Sequence, residues 1–549
     1  MDELHPTEFH ANLDGPGPNQ PRANELRANA PGVSRPGPGR PGAEELGVSG
    51  LGVDGSGAEE PGADEQGVGE LGVGGSGPGG RTGTDLGRVG GRAVEIVAEH
   101  LAALPARPVW QPVPDAARAW LGEQDLPETG RPLDDLLDDV RARVLPHPMG
   151  NGHPRFFGWV NSPPNPAGVL VEPLAAALNP SCAGGDHAGP HLERSVVRWL
   201  ADLVGFPHPP GGGLLTSGAS MATVICLAAA RQRAALADGW DAREEGLSAR
   251  PPMIMYVTEE GHSCLHKAAQ LLGIGARNVR TVPVDGSYRM DVAALREMIA
   301  ADRAAGLRPF CVAGSAGTVN SGAVDPLGEI ADVAAEHGLW FHVDGAYGAL
   351  GVLADGAAPH YAGMERADSL ALDPHKWLGV PVGCGCALLR DPGAARAAFS
   401  LVPSYLVDDN ADDLGWFAEY GPEQTRPFRA LKTWATMSYL GRAGITRLVD
   451  HTTGLARTLA AMVEQALDFE LLAPVTTSIT AFRHRPRPDG LDALNRAIPG
   501  AVQARGNAFI TGTRLGGREA LRACFLHPDT TERDLAVLLE EIRLAAKGM

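Results

Sequence analysis

The stretch Leu339-Trp340-Phe341-His342-Val343-Asp344-Gly345-Ala346-Tyr347 decides how this 549-residue chain is read, together with Asp373-Pro374-His375-Lys376-Trp377 downstream. Trp340 to Val343 is a short apolar run and reads as a buried strand, with the Asp344 carboxylate at its tip. Outward from it, strands and helices alternate. His191 to Val204 has helical spacing, and Leu214-Leu215 precedes a turn and a helix over Met221 to Ala237. Strand Met253 to Val257, helix Ser263 to Leu272, strand Phe310 to Ala313 and helix Leu327 to Glu336 follow. That alternation implies βαβ units and an α/β fold with a mostly parallel central sheet. A third region begins near Pro427 with helical stretches Phe428 to Leu440 and Ile445 to Leu467, then shorter mixed elements, and reads as a smaller C-terminal α/β domain.

The front of the chain differs. The first 90 residues hold 23 of the 71 glycines and 14 acidic against 6 basic side chains, with few large apolar residues. Gly42 to Gly57 and Gly62 to Gly77 resemble each other, but two such copies cannot bury a core, so residues 1–91 are expected to be a disordered Gly/Pro-rich acidic tail. Order is expected from Arg92, where Val94, Val97, Leu101 and Leu104 share a helical face. Leu133, Leu136, Leu137 and Val140 do the same between Pro132 and Val144. The expected division is thus 1–91 tail, 92–185 N-terminal helical segment, 186–426 large domain with the cofactor site, and 427–549 small domain.

A formal charge of −19 argues against general nucleic-acid binding. The N-terminus lacks a basic segment before an apolar core, and no run reaches the roughly 18 apolar residues of a membrane span, so neither a signal peptide nor a membrane partner is expected. Seven scattered cysteines, with Cys384-Gly385-Cys386 too close for a usual zinc pair, point to free thiols in the cytoplasm.

Lys376 sits between an Asp-Pro turn and Trp377-Leu378, flanked by Leu370-Ala371-Leu372 and Cys386-Ala387-Leu388-Leu389. Apolar surroundings favour the neutral amine, a nucleophile that forms Schiff bases. A carboxylate buried at Asp344 needs a cationic partner, and a protonated pyridine nitrogen is one. A Schiff-base lysine and an acid for the ring nitrogen are the two groups a pyridoxal 5'-phosphate enzyme requires. Gly211 to Ser220, GGGLLTSGAS, leads into a helix whose N-terminal amides suit a phosphate. His262 follows a strand, where open α/β sheets bind ligands, and an imidazole there can stack on the cofactor ring. His375 is a candidate for the phosphate or the substrate carboxylate. Ser315 and Thr318 either contact ring or phosphate or shape a turn.

Taken together, these residues resemble the group II pyridoxal-phosphate-dependent amino-acid decarboxylases, with the aromatic-L-amino-acid subgroup nearest. The resemblance runs from about residue 95 to the C-terminus. It rests on His153-Pro154-Arg155-Phe156-Phe157, Ser217 to Thr223, Gly261-His262-Ser263, Gly317-Thr318, the two motifs above and Phe428-Arg429-Ala430-Leu431-Lys432. It implies the aspartate-aminotransferase fold (fold type I) and a homodimer with active sites at the subunit interface. By motif position Lys376 matches the Schiff-base lysine, Asp344 the pyridinium partner, His262 the ring-stacking histidine and Ala346 the small residue under the ring. Ala219 and Ser220 match the phosphate loop. Ser315 stands where aromatic decarboxylases carry threonine, and Asp373 where they carry asparagine; a carboxylate beside a phosphate is repulsive. A mobile loop in that subgroup carries a tyrosine that helps protonate Cα. Ungapped counting back from Phe428 puts Phe417 there, and a short gap puts Tyr420 there, which is the expected catalytic residue. Val160 and Asn161 stand where the subgroup has more apolar bulk and a proline.

The expected activity is decarboxylation of an aromatic or other hydrophobic L-amino acid to the amine and CO2. The alternatives are an aldehyde synthase, which releases peroxide and ammonia and in which phenylalanine replaces the loop tyrosine, another fold-type-I lyase or aminotransferase, and a non-catalytic relative. Intact Lys376, Asp344 and His262 argue against the last. An acidic substrate needs a cation for its distal carboxylate, and the sequence does not single one out.

Overall fold

The computed structural model describes residues 83–401, 414–547 and 549. Four helices come first: α1 Gly83–Ala103, α2 Asp115–Gly122, α3 Leu133–Asp139 and α4 Pro166–Leu178. The boundary expected at residue 92 therefore falls inside a helix. Arg88 and Arg92 explain why the glycine-rich start of α1 is helical: Arg88 pairs with Asp134 at 3.1 Å and Arg92 with the same carboxylate at 2.6 Å, tying α1 to α3. The rest of the expected tail, residues 1–82, lies outside the described residues. The buried face of α1 also differs from expectation, since Val89 and Ile96 point inward while Val94 and Val97 are exposed. On α3, Leu133, Leu136 and the following Val140 are likewise exposed.

The middle of the chain runs α5 Ala188–Val204, β1 Gly213–Thr216, α6 Ala219–Ala237, α7 Ala242–Glu245, β2 Met253–Thr258, α8 Cys264–Leu271 and β3 Val279–Val282. It continues with α9 Val292–Ala304, β4 Arg308–Ser315, α10 Leu327–His337, β5 Trp340–Asp344, β6 Ser369–Leu372, β7 Gly385–Leu389 and α11 Pro392–Phe399. The seven strands form one sheet in the order β1-β7-β6-β5-β4-β2-β3. β3, β2, β4, β5 and β6 are parallel, and β7 runs antiparallel to both β6 and β1. This is the mostly parallel α/β sheet of fold type I. β2 and β5 are buried at every position because helices cover both faces, which is why they read as apolar runs rather than alternating ones.

The C-terminal part holds α12 Arg429–Gln465, β8 Phe469–Leu471, β9 Ile479–His484, α13 Leu491–Arg505, β10 Thr511–Leu515, β11 Arg518–Cys524 and α14 Glu532–Ala546. Its strands make a separate antiparallel sheet, β10-β11-β9-β8, with its own apolar cluster. α12 is interrupted at Gly441, whose φ of 60° no helix allows. Residues 150–162 are stitched to this sheet: Phe157 N–H donates to Phe509 O, Cys524 N–H donates to Phe157 O, and the Phe156 and Phe509 rings stack 4.7 Å apart. Among the described residues no helix is long and apolar enough to cross a membrane. All seven cysteines are buried and free.

Candidate active site

The carboxyl ends of β4 and β5, with the turns after β2 and β6, converge on a cavity of about 310 Å³. Parallel topology puts these ends on one edge of the sheet, where α/β proteins collect their ligands. His262, Ser315, Thr318, Asp344, Ala346, His375 and Lys376 all line it.

Lys376 is held by its turn. Its N–H donates to Asp373 O at 2.9 Å, and the next residue, Trp377, is fixed by stacking on Tyr347 and by donating to Thr452 Oγ1 at 2.9 Å. The surroundings are less apolar than the sequence suggests, because the Lys376 amine lies 3.1 Å from Asp373 Oδ2. Asp344 ends β5. One of its oxygens accepts from Ala346 N–H at 3.2 Å, and the other lies 4.0 Å from the Cys264 sulfur. Burial, reinforced by the Asp344 charge, pushes that thiol up to about 12, so it stays protonated and donates. His262 is exposed in the single chain. Its Nδ1 accepts from Cys264 N–H at 3.2 Å, which places the proton of the neutral ring on Nε2. His375 Nδ1 donates to Cys384 O at 2.7 Å. Ser315 is set by its backbone: its N–H donates at 2.7 Å to Asp325, a fully buried carboxylate that burial pushes up to about 7.

Ala219 and Ser220 open α6 one layer behind the cavity wall. Ala219 N–H donates to Asp373 Oδ1 at 2.6 Å. A Cβ on the preceding Gly218 would sit 3.5 Å from His375 Cε1, so this turn packs directly on the His375 side of the cavity. It can approach because Gly385 of β7 has no side chain; a Cβ there would lie 2.3 Å from the Gly218 carbonyl carbon.

Tyr420 is not brought to the cavity. It is buried beside Leu214, Ile225 and Phe417, and its hydroxyl donates to Leu414 O at 2.7 Å, closing its own turn. Phe417 is buried as well, beneath the Arg426 guanidinium. Residues 402–413, just ahead, lie outside the described residues.

Three neighbouring residues, Trp159, Val160 and Asn161, also line the cavity, delivered by the stitched segment 150–162. Trp159 has φ 47°, a strained value for an aromatic residue. Its carbonyl accepts from Arg522 Nη1 at 3.1 Å. Arg522 is a charged cavity residue that the sequence reading missed. It is 4% exposed, lines the cavity, and its Nε and Nη2 have no hydrogen-bond partner among the described residues. A buried guanidinium left half-unpaired is costly unless an anion meets it. The signal in the sequence was a lone arginine inside the apolar run Leu521-Arg522-Ala523-Cys524-Phe525.

Pyridoxal phosphate asks a protein for an amine to hold its aldehyde, an anion for its ring nitrogen and donors for its phosphate. Lys376, Asp344 and His375 line one cavity, and the start of α6 packs behind its His375 side, so the residues fit the group. A family model described as the pyridoxal-dependent decarboxylase conserved domain matches residues 114–485. The chain is 32% identical over 472 residues to an aromatic-L-amino-acid decarboxylase of Bacillus atrophaeus, which covers 84% of this chain and 96% of that one. It is 30% identical over 457 residues to a phenylacetaldehyde synthase of Arabidopsis thaliana, covering 80% and 91%. The solved structure of Oryza sativa TDC with PLP and tryptamine matches with a TM-score of 0.78 at 26% identity, covering 85% of this chain and 99% of that one. The chain belongs to the pyridoxal-dependent decarboxylase family, and it is a decarboxylase of amino acids that uses pyridoxal 5'-phosphate.

Proposed function

We propose that this chain decarboxylates an L-amino acid with an aromatic or other hydrophobic side chain, releasing the amine. The observation that carries this is the convergence of Lys376, Asp344 and His262 on a cavity whose remaining walls include Trp159, Val160, Val319 and Tyr347. The aromatic and tryptophan decarboxylases among the relatives support the same substrate class.

In this reading Lys376 holds the cofactor through its amine and Asp344 faces the ring nitrogen, with the Cys264 thiol steadying the carboxylate. His262 and Ala346, which line the same cavity, would border the ring. The first residues of α6, Ala219 and Ser220, take the phosphate together with His375, and Ser315 borders the ring. When bound, the cofactor supplies the electron sink for the charge left at Cα as CO2 departs. Arg522 receives the incoming carboxylate and orients the amino acid. His262, with its proton on Nε2, and Lys376 are proton-carrying groups on the cavity wall, and return of a proton to Cα falls to them rather than to Tyr420, which does not line the cavity.

Arg522 also favours a second reading, an acidic L-amino acid whose distal carboxylate it would hold. The phenylacetaldehyde synthase among the relatives keeps oxidative release of an aldehyde as a further outcome.

The working form is proposed to be a homodimer with sites at the interface. Leu170, Leu174 and Leu178 of α4 are each at least 58% exposed, and Trp159 and His262 at the cavity are open in the single chain. A second copy packed over these exposed residues would bury them. Seven free, buried thiols support a cytoplasmic setting. A CO2-release screen over the common L-amino acids, DOPA and ornithine, with peroxide and ammonia measured alongside, tests the activity. CO2 with matching amine from aromatic substrates is expected. CO2 only from acidic substrates would transfer the assignment to the second reading, peroxide would mark the aldehyde synthase, and no CO2 would refute decarboxylation.

A further inference from the structure

Asp373, one of the residues that depart from the family pattern, bridges two parts of the site. Its side chain is 6% exposed. One oxygen accepts from the first amide of α6, Ala219 N–H, at 2.6 Å, and the other lies 3.1 Å from the Lys376 amine. His375 Nδ1 is 3.6 Å away but donates to Cys384 O instead, so it does not satisfy the carboxylate. The Ala219 amide belongs to the helix N-terminus that suits a phosphate. A buried carboxylate therefore occupies a donor at the phosphate end of the site, and a cofactor phosphate close to it meets a like charge in surroundings that screen poorly.

We propose that Asp373 is a positioning residue that caps α6 and fixes the Lys376 amine, and that its negative charge holds down the site's affinity for the cofactor's phosphate. The chain thereby fixes its reactive amine at the expense of phosphate binding, and the cofactor is held chiefly through Lys376 and Asp344. Asparagine at this position keeps an oxygen for the Ala219 amide but loses both the charge and the acceptor that faces the Lys376 amine, and the comparison of two ligands below separates those two losses.

The inference rests on Lys376 being the residue that carries the cofactor. The test compares pyridoxal phosphate with pyridoxal, which lacks the phosphate, by equilibrium binding to the cofactor-depleted full chain. In Asp373→Asn the ratio of the pyridoxal to the pyridoxal phosphate dissociation constant should rise at least about tenfold over wild type. Loss of the Lys376 partner alters both ligands alike and cancels in the ratio, so a purely structural role would leave it unmoved. An unchanged or lower ratio overturns the proposal. Asp373→Ser provides the same comparison if the asparagine variant does not fold. Lys376→Ala separates the underlying reading: if that variant keeps the visible absorption of lysine-bound cofactor, the assignment of Lys376 fails; if it loses the absorption while the Asp373→Asn ratio stays flat, only the role of Asp373 fails.

Discussion

Two short turns, each rich in polar and aromatic residues, end up in opposite circumstances. In Asp373 to Trp377 the side chains of His375 and Lys376 reach the cavity, while the backbone is fixed by β6 behind it and by the buried Trp377 ahead. In Leu414 to Tyr420 the side chains close on their own turn. Tyr420 donates to Leu414 O, Glu419 accepts from Trp416 N–H at 2.9 Å and pairs with Arg396 at 2.7 Å, and Gly415 leaves the space in which Glu419 lies. The difference is that the first turn follows a strand of the parallel sheet, whose topology aims it at the ligand edge. The second does not end a strand of that sheet and leads toward α12, so its orientation is set by whichever local partners its side chains find.

The sharpest way to break the comparison is at the anchor of the second turn. Arg426, directly after it, is 1% exposed, pairs with the equally buried Glu193 at 2.6 Å and donates to the carbonyls of Cys182 and Leu215. Arg426→Met should leave Glu193 buried without its cation and cost about 3–5 kcal/mol in denaturant unfolding. A loss well below that would show that the ion pair is not what fixes this segment.

The cavity side can be tested through pH. Asp325, which holds Ser315, is raised from 3.8 to about 7 by burial. Between those values the folded chain keeps a proton that the unfolded chain has released, so folding takes up a proton. Asp325 then makes stability fall as pH rises through that window and adds no further slope above it. Unfolding measured between about pH 5 and pH 8 should show that decline in wild type, and Asp325→Asn should lose it, even though asparagine forfeits one of the two amides that Asp325 accepts. The smallest effect is expected from Tyr420→Phe, which removes the hydrogen bond to Leu414 O and should cost about 1 kcal/mol of stability. Its turnover should stay close to wild type; a loss of turnover comparable to that of an essential proton donor would restore Tyr420 as a catalytic residue.

What was legible in the sequence follows the same line. Strand tips are readable because an apolar run ending in a polar residue specifies both burial and direction, and Asp344, Ser315 and His262 were singled out that way, whereas Lys376 stood out by its Asp-Pro turn and apolar flanks. Arg522 was not, because it reaches the cavity from the antiparallel C-terminal sheet through contacts with residues 157–159, and no spacing in the chain records that pairing. β3 and α9 also escaped, since β3 is partly exposed and has no continuous apolar run. The face of α1 was misread because the helix offers two apolar stripes, and its partners, not its periodicity, choose between them.

The central claim is that Lys376 carries the cofactor. Reducing the pyridoxal phosphate-loaded protein with borohydride and mapping its peptides tests this directly. The account predicts the cofactor's mass on the peptide containing Lys376 and its absence from that peptide in Lys376→Ala. Stable attachment to a different lysine in wild type, or none at all, would contradict it.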